Sequence, residues 1–232
     1  MSSFDSPFYP YEKVIVGANT LRGAEEIPHK ILTYLLDLPD SNGYTPQDDN
    51  NRPRVRLVKY LIWDGERPLE KRLPTPAEKL SILFDANAPV VATDEEKQAH
   101  PFGYRLFMQR VIGQSITEAK TLLKCYIDRT YERRKFVTTI GITVEIWCNV
   151  NYIANTKTTA YDRSFDIEQC LREALDGVNL AGIGTVSFSR ADDTNNGGAN
   201  IYNEASETGR VLRFSLDWSD GATEISGDCE SC

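Results

Sequence analysis

No apolar run in this 232-residue chain approaches the roughly 18 residues that a bilayer-spanning helix requires. No membrane partner is therefore expected. The opening MSSFDSPFYPYEK lacks a basic segment followed by an apolar one, so a secretory signal is not expected either. The protein should stay in the compartment where it is made, a cytoplasm. Basic charge is scarce: 26 Lys and Arg stand against 34 Asp and Glu, for a net charge of −8. Duplex binding draws most of its affinity from phosphate neutralisation, so specific nucleic-acid binding is not expected. Basic residues gather only in RPRVR (52–56) and YERRK (131–135), which read as solvated element ends or a hairpin tip.

Chemistry-bearing motifs are scarce as well. There are two histidines, His29 and His100. The sequence IGQSI around Ser115 is not a Gly-x-Ser-x-Gly elbow, and no phosphate-binding Gly-x-x-x-x-Gly-Lys-Ser/Thr loop occurs. Gly182-x-Gly184 follows a helical pattern and leads into a strand. A dinucleotide fingerprint has the reverse order, so these are turn residues. Five cysteines lie at 125, 148, 170, 229 and 232. The first three fall in apolar-patterned segments and read as reduced, buried thiols. The closing CESC offers two thiols and no further ligands, short of the four that structural zinc takes. Carboxylates cluster in TDEEK (93–97), DRSFD (162–166) and ADD (191–193). No spacing among them matches an EF-hand loop, and Asp162 and Asp166 already complement a helix N-terminus. No catalytic, cofactor-binding or metal-binding residue is assigned, and the chain is not expected to be an enzyme. The alternative is an α+β ligand-binding or hydrolytic domain that uses the carboxylates near 162–166 and 191–193.

What is present is architecture. Residues 1–20 form an aromatic, proline-bearing arm. In EEIPHKILTYLLDLPD, Ile27, Ile31, Leu32, Leu35 and Leu38 share a helical face, with Pro28 tolerable in the first turn and Pro39 ending it. A turn-rich loop follows at 39–53. RVRLVKYLIW (54–63) is β-branched and aromatic, so a strand is expected. Residues 64–101, with five prolines, read as an irregular insertion with a short strand at LSILF, and 104–112 resumes strand character. Residues 115–131 fit two readings. Ser115 and Glu118 have capping-box spacing for a helix, whereas Leu123, Cys125 and Ile127 alternate as in a strand.

FVTTIGITVEIWCNVN is clearer. Positions 136, 140, 142, 144, 146, 148 and 150 are apolar, with Thr138 the one polar interruption. That is strand alternation sustained over about 50 Å at ~3.3 Å per residue, well beyond the usual ~20 Å. A helix over 160–176 follows, with Ile167, Cys170, Leu171, Ala174, Leu175 and Val178 in one stripe and Gly177 as its stop. IGTVSFSR is a strand, 190–209 a long polar loop, 210–218 the last strand and 219–232 a flexible tail. The expected fold class is α+β: an antiparallel or mixed sheet with a long β-hairpin and two flanking helices, forming a single domain over 21–218.

The order from RLFMQRVIGQSITEAKTLLKCYIDRTYERRKFVTTIGITVEIWCNV through YDRSFDIEQCLREALDGVNLAGIGTVSF to RVLRFSLDW resembles tailed-bacteriophage neck proteins of the tail terminator (tail completion) type. The resemblance covers about 104–218, with the helix at 25–38 as counterpart of the family's first helix. It is carried by the order of elements rather than by an invariant motif. It implies that 120–131 is the first arm of the hairpin, with ERRK at its turn. It also implies a virion protein assembled in the host cytoplasm, a homo-oligomeric ring, usually a hexamer, which caps the tail tube and meets the head connector or stopper protein. The tail sheath is a further implied partner. A head-completion (stopper) or baseplate adaptor protein is the neighbouring alternative. The arm and the insertion at 39–101 depart from the simplest members.

Overall fold

Two long strands dominate the computed structural model, which describes residues 23–65, 67–84, 100–108, 121–134, 137–149, 163–180, 183–188, 199–203 and 207–218. They are β2 (Thr121–Arg134) and β3 (Val137–Asn149), an antiparallel hairpin whose register runs from Thr121↔Cys148 to Arg134↔Val137. Strand thus wins over helix in 121–131. The expected alternation is realised in β3: Ile140, Ile142, Val144, Ile146 and Cys148 all lie buried on one face. β8 (Glu207–Trp218) pairs with β3 along its length, from Asn149↔Glu207 to Thr138↔Trp218. β1 (Leu106–Phe107) adds in parallel to the start of β2, while β6 (Ser187–Phe188) and β7 (Ala199–Asn203) share the outer side of β8. The result is a mixed six-stranded sheet, and β4 (Asn179–Leu180) with β5 (Gly184–Thr185) forms a separate two-stranded one.

Helices cover one face of the large sheet, which makes the fold α+β. They are α1 (Ile27–Leu35), α2 (Pro53–Ile62), the short α3 (Pro76–Ser81) and α4 (Arg163–Leu175). The stripes read from sequence are the buried ones: Ile27, Ile31, Leu32 and Leu35 on α1, and Ile167, Cys170, Leu171, Ala174 and Leu175 on α4. They meet Leu123, Cys125, Val144, Leu212 and Phe214 of the sheet in one core. Each large aliphatic side chain there contributes about 2–5 kcal/mol against truncation to alanine.

The structure corrects the expectations at several places. The strand expected over 54–63 is α2, begun by Pro53 at its first position. From Leu57 to Ile62 every residue is buried, because α4, the sheet and the 67–70 turn surround the helix. A helix buried on all sides has no polar face to reveal its 3.6-residue period. The strand expected at LSILF is the end of α3 followed by an isolated bridge from Leu83 to Leu106. A capping box starts that helix, with Thr75 Oγ1 accepting from the Glu78 amide and Glu78 accepting from the Thr75 amide. The described part of the 64–101 insertion is therefore packed structure, and helices flanking the sheet number more than two.

The strand expected over 104–112 is described only at Leu106–Phe107. IGTVSFSR is two short strands in different sheets, divided at Val186, and Gly184 (φ +103) turns the chain between β4 and β5. Part of the loop expected at 190–209 is β7, and β8 begins at Glu207.

Two glycines permit the sheet's geometry. A Cβ on Gly209 would stand 2.1 Å from the Ile146 carbonyl oxygen. On Gly141 it would stand 2.6 Å from Arg129 Cγ, across the irregularity between Ile127 and Arg129.

Candidate functional site

The surface that sequence reasoning singled out for contact is the hairpin of 120–150, together with the helix at 160–176 and the loops at 39–53 and 190–209. Period-two alternation places Lys124, Tyr126, Thr143, Glu145 and Arg213 on the sheet face opposite the helices. Glu145 organises the near end of that face. It accepts from Tyr126 Oη at 2.5 Å and from Trp147 Nε1 at 2.9 Å, and pairs with Lys124 at 3.6 Å. Lys124 Nζ also lies 4.7 Å from the centre of the Trp147 ring. Trp147 packs with Leu122, Phe107, Phe84 and Tyr104 in a small second apolar cluster.

Farther along, Asp128 pairs with Arg129 at 3.5 Å and with Arg213 at 3.8 Å, and Thr139 Oγ1 donates to Asp217 at 2.7 Å. Tyr131, to which Arg129 donates at 2.8 Å, is 48% exposed near the end of β2. No described strand pairs with β2 beyond Lys124 on the side away from β3. An edge strand of this kind presents unpaired backbone amides and carbonyls.

The helix of 160–176 is tied inward by its polar residues. Asp166 accepts from Tyr60 Oη at 3.3 Å, and burial, with Asp166 beside it, raises the tyrosine's pKa above its ordinary value. Glu168, a buried carboxylate that the sequence reading passed over, pairs with Arg172 at 3.2 Å and with Arg210 of β8. Its i,i+4 spacing to Arg172 was the available signal. Arg163, also passed over, is fully buried and donates through Nη2 to the Gly65 carbonyl. Burial holds its guanidinium below the usual range.

The loop at 39–53 is anchored by two buried groups. Asp37, with a left-handed φ of +51, accepts from Tyr44 Oη at 2.8 Å and pairs with Arg54 at 2.8 Å. Arg54 also lies over the Tyr34 ring, at 4.5 Å, and Lys79 Nζ donates to the Asp37 carbonyl at 2.8 Å. Lys59, 2% exposed, pairs with Asp48 at 2.5 Å and donates to Asn50 at 2.9 Å and to the Leu69 carbonyl at 3.1 Å.

The residues weighed for chemistry are dispersed. His29 is exposed on α1, whereas His100 Nδ1 donates to the Ser81 carbonyl at 2.6 Å, a bond that fixes its tautomer. Cys125, Cys148 and Cys170 are free thiols, all buried. Burial pushes Cys125 and Cys170 up to about 12, away from thiolate chemistry. Ser115, Gly182, Asp162, Cys229, Cys232 and the carboxylates of 93–97 and 191–193 lie outside the described residues. Among the described residues no three His, Cys, Asp or Glu side chains converge as metal ligands, and no helix is long and apolar enough to cross a membrane.

The sequence matches no protein-family model, and no curated protein matches it.

Proposed function

We propose that this chain is a structural subunit of a tailed-bacteriophage neck: a ring-forming protein, six to the ring, that terminates the tail tube and joins it to the head connector. Its work is contact between protein surfaces rather than catalysis, and its partners are its own copies, the tail tube protein and the connector or stopper protein. One observation carries the reading. β2 is a fourteen-residue strand whose outer side meets no described strand beyond Lys124. At ~3.3 Å per residue the ten residues from Cys125 to Arg134 offer an edge of about 33 Å. A surface of that kind, repeated head to tail around an axis, closes a ring. The order of a helix, a long hairpin, a second helix and a last strand paired to the hairpin supports the same reading through the family resemblance. The net charge of −8 suits a DNA conduit that passes the duplex without gripping its phosphates.

Negative-stain electron microscopy of the purified chain, alone and mixed with tail tubes from the same source, tests the proposal. Rings, or caps on one end of the tubes, are the expected result. Monomers that leave tube ends bare would overturn it.

A further inference from the structure

We propose that Lys59 and Asn50 become joined by an isopeptide bond, which the folded chain forms by itself with Asp48 as proton carrier. Asp48 and Asn50 lie in the loop that leads into α2, and Lys59 lies within the helix. Lys59 Nζ stands 2.9 Å from Asn50 Oδ1 and 2.5 Å from Asp48 Oδ1. The Leu69 carbonyl accepts from Lys59 Nζ at 3.1 Å and from Asn50 Nδ2 at 3.0 Å, so one acceptor clamps the amine and the carboxamide together. Asp48 Oδ2 accepts from the Leu73 amide at 3.0 Å, which fixes the carboxylate beside them.

An amine, a carboxamide and a carboxylate within hydrogen-bond reach supply a nucleophile, an acyl group and a general base. Holding them in one folded site makes the reaction unimolecular, which removes most of the entropic part of its barrier. Lys59 is buried, whereas Asn50 and Asp48 are exposed. The amine is therefore held in place while the leaving group has a path to water. Asp48 takes one proton from the Lys59 ammonium, and the freed lone pair attacks Asn50 Cγ. Asp48 hands that proton to Nδ2 and takes a second from the newly bonded nitrogen. As the carbonyl re-forms, the Cγ–Nδ2 bond breaks and ammonia leaves, carrying off the second proton as ammonium. A secondary amide replaces a primary one, and no oxidant, reductant or co-reactant is consumed. The product ties the loop at 39–53 covalently to α2.

Intact-mass measurement of the full 232-residue chain, fresh and after days of incubation at neutral pH, tests this. The chain should come to weigh one molecule of ammonia less than its sequence requires. Trypsin should then release a branched peptide that joins residues 31–54 to residues 57–71, uncut at Lys59. Lys59→Met and Asp48→Asn, each shown to be folded by its melting curve, should keep the full mass. The parent's own mass decides whether the bond exists, however stable the variants prove. A parent that holds its full mass throughout overturns the proposal. So does a loss of ammonia without the branched peptide, since a succinimide at Asn42–Gly43 would give the same mass. A branched peptide that forms equally in Asp48→Asn overturns the part given to Asp48.

Discussion

Arg105 holds Asp64 through two parallel bonds, Nη1 to one carboxylate oxygen at 2.7 Å and Nη2 to the other at 2.6 Å. The same Nη1 donates to the Leu61 carbonyl at 2.7 Å, and Nε donates to the Phe102 carbonyl at 2.9 Å. The guanidinium, 3% exposed, thereby closes the C-terminal end of α2 and ties it to the segment that leads into β1. A planar fork is needed for this, and a lysine ammonium cannot reproduce it.

Arg105→Ala should therefore lower stability by about 2–3 kcal/mol, since it strands a carboxylate and a helix-end carbonyl. Arg105→Lys should recover only part of the loss. Urea unfolding of the three proteins checks the order, and equal midpoints for Arg105→Ala and the parent chain would refute it.

Gly209 tolerates no side chain, because backbone rather than a movable side chain occupies the space where a Cβ would sit. Gly209→Ala should cost about 3 kcal/mol or more, at the upper end of overpacking penalties, and shift the pairing of β8 on β3. Amide exchange across β3 and β8 should rise together with the fall in melting temperature.

Acid should release one specific contact. The Arg72 guanidinium, bonded to Glu78, together with the Thr75 amide, holds the Glu78 carboxyl down at about 2. A carboxyl depressed in the folded state stabilises the fold above its unfolded value, near 4.5. That stabilisation is lost as pH falls from there toward 2. The Arg72 side chain is 55% exposed, so solvent screening limits the contribution to about 1 kcal/mol. The stability difference between the parent and Glu78→Gln should shrink by that amount between pH 6 and pH 2, in urea titrations at each pH. A constant difference would contradict it.

Tyr131 stands exposed near the end of the hairpin, and Tyr131→Asp should leave the melting temperature nearly unchanged. If β2 is the contact between copies, the same change should weaken ring formation by about tenfold or more. Sedimentation over a concentration series separates the two effects.

Elements with one buried and one wetter face were legible in the residues alone. α1, α4 and β3 each carry an apolar stripe at the period of their geometry, and each forms within a few residues of where that stripe lies. α2 was illegible because neighbours bury it almost all round, leaving β-branched composition as the misleading signal. α3 was overlooked although TPAE announced it, since prolines on both sides made the segment read as irregular.

The contact surface divides in the same way. The length of the hairpin and the basic residues at its tip are properties of the sequence. That β3 lies inside the sheet while no described strand pairs with the outer side of β2 beyond Lys124 is set by which strand β8 chooses, a pairing between residues some seventy positions apart. Local pattern fixes which side of a strand faces the core, because alternation is written residue by residue. Neighbour choice depends on chain closure over long separations, and only the folded sheet decides it.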